Sequence, residues 1–275
     1  MFFLDLLSGA CPLMLSAAGA LFSEYAGALA LFLDGLITFS GFLFFLFSGK
    51  TGSMVTGGIL AVTVPAATVF IISRLIEKTK ADRFISALGM NLLFQSAVSV
   101  LSVKFFGTRG VLSSPEFGIP LTMTKTISVV MTGIFISAAI VFLKNTESGI
   151  CIRITGSDPD VLAARGKNPA IFRSASWAIC ALFGAAAGCL LTLRVSSFVP
   201  NIASGRGWTA LAAVFLGNRN PYGTIISVLV ICIADTAASG IQNFFPEIPA
   251  ALPLVMPYIA ALMMIIFVPR KKIHL

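Results

Sequence analysis

An all-α, polytopic membrane protein of about ten transmembrane crossings is what this sequence predicts, and three observations lead there. Of the 275 residues, 57% are hydrophobic and 11% charged, with a mean hydropathy of +0.97. Soluble domains hold roughly 45–50% apolar and about 25% charged residues, and one soluble core cannot hide this much apolar surface. The apolar residues also fall into runs of the length a bilayer demands, roughly 20 residues for a 30 Å hydrocarbon core at 1.5 Å per residue. Finally, two of the runs are interrupted by residues that break helices, which lipid does not tolerate unless the break lines a protein-enclosed or watery space.

Clear runs occupy residues 1–22, 54–75, 84–103, 126–143, 172–193, 222–241 and 249–268. The first begins with an apolar Met1–Leu7 that carries Asp5 and no basic residue. A cleaved leader wants positive charge there, so this segment reads as a retained span. Two regions are compound. Residues 26–49 are broken at Asp34-Gly35, and residues 207–241 at Gly217-Asn218-Arg219-Asn220-Pro221. Broken helices at corresponding places in two halves point to a transport pathway. Ala30–Gly35 also resembles Ala213–Asn218, which suggests a weak internal repeat at an offset of 183 residues.

Counting each compound region as two crossings produces the total above, and charge tests the count. With the N-terminus inside, Arg74, Lys78, Lys80 and Arg83, then Lys144, Arg153, Arg165, Lys167 and Arg173, then Arg270, Lys271 and Lys272, all fall on the cytoplasmic side, as the positive-inside rule expects. Both termini are therefore expected in the cytoplasm, and the whole chain, 1–275, reads as a single membrane domain. Lys50, Lys104, Arg109, Arg194 and Arg206 are the exceptions on the outer side. The net charge of +8 belongs to this pattern. It is not a nucleic-acid signal, since no basic stripe with interleaved exposed aromatics is visible. The longest outer connection, 104–123, contains Ser113-Ser114-Pro115-Glu116 and reads either as a plain connector or as a contact for an external partner.

The longest polar stretch, 144–171, is expected on the cytoplasmic side. Ser157 or Asp158 suits an N-cap, Pro159 the first helical position, and Asp160 the first turn, where an acid favours the helix dipole. Val161 to Arg165 continue this short amphipathic helix until Gly166 stops it. By residues alone it is either an ordinary capped loop helix or a docking helix that transmits motion from a soluble engine.

The segment from Gly149 through Arg153, Gly156, Pro159, Ala163, Ala164 and Gly166 to Asn168 resembles the coupling loop of ABC importer permeases. The subfamily is the one grouped with ribose, nucleoside and branched-chain amino acid uptake. Three further stretches resemble it in the same order: Ser23-Glu24-Tyr25-Ala26-Gly27 with Asp34-Gly35, then Ala87-Leu88-Gly89-Met90-Asn91-Leu92, then Gly205 to Ala213 with Gly217-Asn218 and Asn220-Pro221. The order and spacing, from about residue 20 to 240, carry the likeness. The resemblance implies a cobalamin-importer-like permease fold and a cytoplasmic coupling loop at 144–171. It implies partners as well: a second permease subunit, identical or paralogous, two cytoplasmic ATPase subunits and an extracytoplasmic solute-binding lipoprotein. The nearest flavour is the group paired with nucleoside-binding lipoproteins, some of which serve riboflavin. Asp34 stands where many relatives carry Glu, and the chain is compact for the family.

Coupling is accordingly expected at Asp158, Pro159, Asp160, Ala163, Ala164, Arg165, Gly166 and Asn168, and a substrate pathway at Asp34, Asn91, Gln95, Asn218 and Asn220. Asp34 is an acid deep in an apolar run, costly unless functional, although it also suits the cap of a half-helix. Asn91 and Gln95, four apart, share a helix face and can bind hydroxyls or base edges, or fasten helices. Asp235, toward the outer end of its span, reads as a helix–helix hydrogen-bonding residue. Phe42, Phe44 and Phe45 read as lipid-facing bulk or as a stacking platform. Gly184 and Gly188 allow two helices to approach. The five cysteines, Cys11, Cys151, Cys180, Cys189 and Cys232, lack metal spacing and read as buried apolar residues.

Chemistry of the chain's own is not expected. Gly49-Lys50-Thr51 mimics a P-loop end but has Phe44 at the required first glycine. Gly205-Arg206-Gly207 precedes Ala210 without a strand before it, and the single histidine, His274, lies in the basic tail. No cofactor is expected here, and ATP would be hydrolysed by a partner subunit. The sequence thus predicts a non-enzymatic permease in the cytoplasmic (inner) membrane for a nucleoside, simple sugar or riboflavin-like solute. An ion-coupled secondary transporter is the alternative.

Overall fold

The computed structural model describes residues 2–114 and 120–244, with 259 and 263. Among the described residues, seven helices are long and apolar enough to span a membrane. These are α1 (Phe2–Tyr25), α2 (Leu33–Thr51), α3 (Met54–Thr79), α4 (Arg83–Phe106), α5 (Leu121–Asn145), α8 (Pro169–Val195) and α10 (Pro221–Phe244). Three shorter helices complete the set: α6 (Glu147–Ser157), α7 (Pro159–Ala164) and α9 (Arg206–Leu216). A two-residue antiparallel pairing, β1 (Leu112–Ser113) with β2 (Ser197–Phe198), joins the loops after α4 and α8.

Helix α8 lies against α1, α2 and α3, and these contacts build the centre of the bundle. The central helices α1, α2 and α8 bury 72%, 78% and 67% of their spanning windows. For α3, α4, α5 and α10 the shares are 33%, 28%, 22% and 28%. The second group therefore forms a rim whose exposed Ile71, Leu92, Ile134 and Ile226 suit lipid or another membrane subunit. At the centre, Gly188 of α8 meets the backbone of α2 at Ile37 and Gly41, where a Cβ would collide. That is the close approach expected of the Gly184/Gly188 pair. Phe42, Phe44 and Phe45 are buried rather than lipid-facing. Phe42 packs on Phe198 at 5.4 Å and Phe45 on Phe106 at 5.7 Å. The cysteines are buried or half-buried, and Asp235 lies exposed on α10.

Two expectations about the compound regions are corrected. The first break is not at Asp34-Gly35. The chain is irregular over 26–32, and Asp34 and Gly35 already lie in the first turn of α2. Region 26–49 therefore holds one spanning helix, not two. In the second region α9 has 11 residues, roughly 16 Å at 1.5 Å per residue, too short to cross. The repeat fails for the same reason, because Ala30–Gly35 begins a helix and Ala213–Asn218 ends one.

Losing one crossing before the 144–171 loop reverses the expected placement of the N-terminal end. Asp5 in α1 pairs with Lys125 at the start of α5, and the Ser8 carbonyl accepts from Arg194 at the end of α8 at 2.8 Å. The far ends of these helices carry the loop. The beginning of α1 and the 144–171 loop therefore occupy opposite faces, and the expectation that both are cytoplasmic is not met. Apart from residues 259 and 263, run 249–268 and the basic tail lie outside the described residues.

Candidate transport pathway and coupling face

Inside the bundle, two helix beginnings are held by side chains from elsewhere. The first-turn N–H of Gly35 in α2 donates to Asn91 Oδ1 of α4 at 2.6 Å. The N–H of Gly207, near the start of α9, donates to Asp34 Oδ1 of α2 at 3.1 Å. Helix starts leave N–H groups without intrahelical partners, and deep in a membrane protein water does not supply the acceptor. Asn91 lies eight residues into α4, roughly 12 Å along it, so the junction is well inside the bundle. Asp34 and Asn91 are 6% and 7% exposed, which identifies them as remote caps joining α4 to α2 and α2 to α9. Gly207 is required for this approach. A Cβ there would run into the backbone of Asp34.

The five residues expected to line one pathway do not converge. Asp34 and Asn91 meet at the junction. Gln95 follows one turn further along α4, half-buried. Asn218 and Asn220 are exposed in the turn between α9 and α10, on the face that carries the 144–171 loop. Neighbouring Arg219 pairs with Glu24 at 2.8 Å, and its carbonyl accepts from the Tyr25 hydroxyl at 2.7 Å. Asn218 has a φ of 54°, and Asn220 Oδ1 accepts from the Tyr222 N–H at 3.4 Å, capping α10. Both shape a turn.

The loop face is built differently. Thr146 caps α6 through Gly149 N at 3.1 Å. Asp158 caps α7 through the N–H groups of Asp160 and Val161, at 3.2 and 3.3 Å. Pro159 occupies the first position, Gly166 turns the chain at φ 74°, and Asn168 caps α8 through Ala170 N at 3.0 Å. Buried Leu162 anchors α7, while Asp160, Ala163, Ala164 and Arg165 are exposed. The helix expected from Ser157/Asp158 to Gly166 is therefore present, with Asp158 as its cap. Helix α6 went unrecognised, although Thr146 with Glu147 is a start signal. Lys167 forms an ion pair with Glu147 across the loop. Hydrogen bonding to Lys167 holds the Glu147 carboxyl below its usual range, and the same bond raises the Lys167 ammonium.

One more cluster sits on this face. Glu77, at the end of α3, accepts from Arg83 Nε at 2.8 Å and from Arg173 of α8 at 3.1 Å. Arg173 reaches the carbonyl of Ala26 at 3.5 Å, and the indole N–H of Trp177 donates to the carbonyl of Ala28 at 2.7 Å. An open groove of about 700 Å³ adjoins it between residues 27–29 and 76–84. Sequence reasoning missed this cluster, since its hydrogen-bonded partners lie up to 149 positions apart.

Comparison with known proteins supplies the context. Residues 2–268 match the family described as branched-chain amino acid transport system / permease component. The chain is 27% identical to a guanosine ABC transporter permease protein, NupQ, of Bacillus subtilis, over 92% of this chain and 87% of that protein. It is 24% identical to a nucleoside ABC transporter permease protein, NupC, of Lactococcus lactis, over 95% and 90%. A putative glucose ABC transporter permease protein, TsgC13, of Haloferax volcanii is 25% identical over 89% and 79%. Among solved structures, PsaBC from Streptococcus pneumoniae in complex with Fab has the same overall fold. Its TM-score is 0.57 at 12% identity, covering 98% of this chain and 92% of that one.

Proposed function

Because this chain belongs to the permease-component family of branched-chain amino acid transport systems, we propose that it is the membrane subunit of an ATP-driven nucleoside importer whose ATPase subunits dock on α6 and α7. The observation that carries the reading is the α7 platform. It is a short, tightly capped helix with exposed Asp160, Ala163, Ala164 and Arg165, anchored by buried Leu162, on an otherwise apolar bundle. A capped helix with a small, flat exposed face suits a groove on a soluble partner. The face also gathers Arg74, Lys78, Lys80, Arg83, Lys144, Arg153, Arg165, Lys167 and Arg173, which supports its assignment to the cytoplasm.

The remaining parts follow from that reading. The rim helices α3, α4, α5 and α10 offer apolar surface to a second permease subunit, identical or paralogous. An extracytoplasmic binding lipoprotein delivers solute to the opposite face, where β1 and β2 lie, and solute passes by alternating access. The names of the relatives NupQ and NupC support nucleoside as the solute class. Asp34 and Asn91 serve the pathway as caps that keep helix starts in place, and Gln95, one turn further along α4, is the proposed contact for solute hydroxyls or base edges.

The test is uptake into proteoliposomes holding the permease together with its ATPase and binding-protein partners. Radiolabelled guanosine, adenosine, glucose and riboflavin are the probes. ATP- and binding-protein-dependent guanosine uptake that is lost in Asp160→Arg or Ala164→Arg is the expected result. Uptake that follows an ion gradient and needs no ATPase would overturn the reading, as would normal ATP-linked uptake in both variants.

A further inference from the structure

We infer that Glu77 and Arg173, with the indole of Trp177, are positioning residues that lock the start of α8, the α3–α4 turn and residues 26–28 into one body, so that displacement of α7 is delivered to the start of α2. This rests on the docking role proposed above for α7.

The chain from α7 to α8 has little slack. Asn168 caps α8 directly after the Gly166 turn, Lys167 is tied back to Glu147, and Arg173 follows in the second turn. At that point α8 grips two things. Arg173 meets Glu77 with side chains only 12% and 9% exposed, and Glu77 also holds Arg83 across the α3–α4 turn. One turn later Trp177, 2% exposed, donates to the Ala28 carbonyl. Ala26 and Ala28 belong to the irregular stretch 26–32, where their carbonyls lie outside a helical ladder and need donor partners from elsewhere. The side chains of α8 supply them. That stretch runs straight into α2, whose Asp34 holds α9. A shift at the start of α8 therefore reaches both helix starts of the internal junction.

A purely structural reading fits less well. A buried ion pair is weak support for stability, because apolar residues of similar volume often do as well. What charged and hydrogen-bonded partners add is a fixed register between rigid parts.

Two measurements on the assembled transporter test the inference. In the first, Glu77→Gln, Arg173→Lys and Trp177→Phe are compared with the unmodified complex for ATP hydrolysed and guanosine accumulated. The expected result is hydrolysis within about twofold and guanosine moved per ATP down by about tenfold, a typical size for a coupling between distant sites. An unchanged ratio in variants that assemble overturns the inference. In the second, spin labels are placed in a background without the five native cysteines. The separation between labels at Lys80→Cys and Val161→Cys should stay constant between ATP-free and vanadate-trapped complexes, while Val161→Cys to Lys50→Cys changes. A changing 80–161 separation, or a constant 161–50 separation, overturns it without any disruptive substitution in the cluster. Loss of all ATP-linked uptake in the unmodified complex would instead count against the docking role itself, so the two failures are distinguishable.

Discussion

The internal α2–α9 junction and the loop-face segment α6–α8 both break the helical ladder, yet they cap it in opposite ways. At the junction the caps come from far away. Asn91 is 56 residues from Gly35, and Asp34 is 173 residues from Gly207. In the loop every cap is local: Thr146 to Gly149, Asp158 to Asp160 and Val161, Asn168 to Ala170. Water is the reason for the difference. An exposed loop can replace a lost cap bond by hydration, so local propensity suffices. A helix start within the bundle has no such fallback, and only tertiary placement satisfies it.

Substitutions at the remote and the local caps should differ in cost. Gly207→Leu should have the largest effect, since its side chain would enter the backbone of Asp34. Overpacking typically costs about 1–3 kcal/mol and forced backbone shifts more, so a severe loss of folded, detergent-stable protein by fluorescence size-exclusion is expected. Asn91→Leu leaves the buried Gly35 N–H unpaired, a cost of about 1–3 kcal/mol, read as a clear fall in the thermal midpoint. Asn91→Asp, which keeps an acceptor, should recover part of it. Asp158→Ala in the loop should cost only about 1 kcal/mol, the usual value of an N-cap, with normal membrane insertion. If Asn91→Leu proved no worse than Asp158→Ala, the distinction between remote and local caps would collapse.

The smallest effect is expected at the Glu147–Lys167 pair, because Glu147 is exposed and Lys167 only partly covered. Lys167→Met should leave the thermal midpoint unresolved from that of the unmodified protein. The sign of its pH dependence still follows. The carboxyl pKa is lowered in the folded loop, so the pair's contribution is present above the ordinary glutamate value of about 4.3 and is lost as pH falls through the lowered one. Comparing midpoints of Lys167→Met and unmodified protein at pH 7 and near the lower limit of solubility checks this: any difference must shrink on acidification.

Legibility in the sequence followed the same division. The α7 helix was legible because its signals are consecutive: Asp158 as cap, Pro159 at the first position, Asp160 in the first turn, Gly166 at the stop. Asp34 and Asn91 stood out as polar residues in apolar runs, but their partners did not, because backbone N–H groups of Gly35 and Gly207 carry no side-chain signature. Asn218 and Asn220 were grouped with them by the break they share, and the fold puts them instead on the loop face. The Glu77–Arg173 cluster had no local signature at all, since its members come from three helices.

The residues alone place this chain in a membrane, locate most of its spans and put a capped helix in its longest polar loop. These follow from composition, run length and neighbouring residues, which act over one or two helical turns. The packed fold was needed to show how many times region 26–49 crosses, and so on which face α1 begins relative to the loop. An apolar run shows that a segment is shielded from water. Whether it crosses, turns back or merely leads into a helix depends on which distant groups receive its backbone hydrogen bonds, and here Ala28 is met by Trp177 and Gly35 by Asn91.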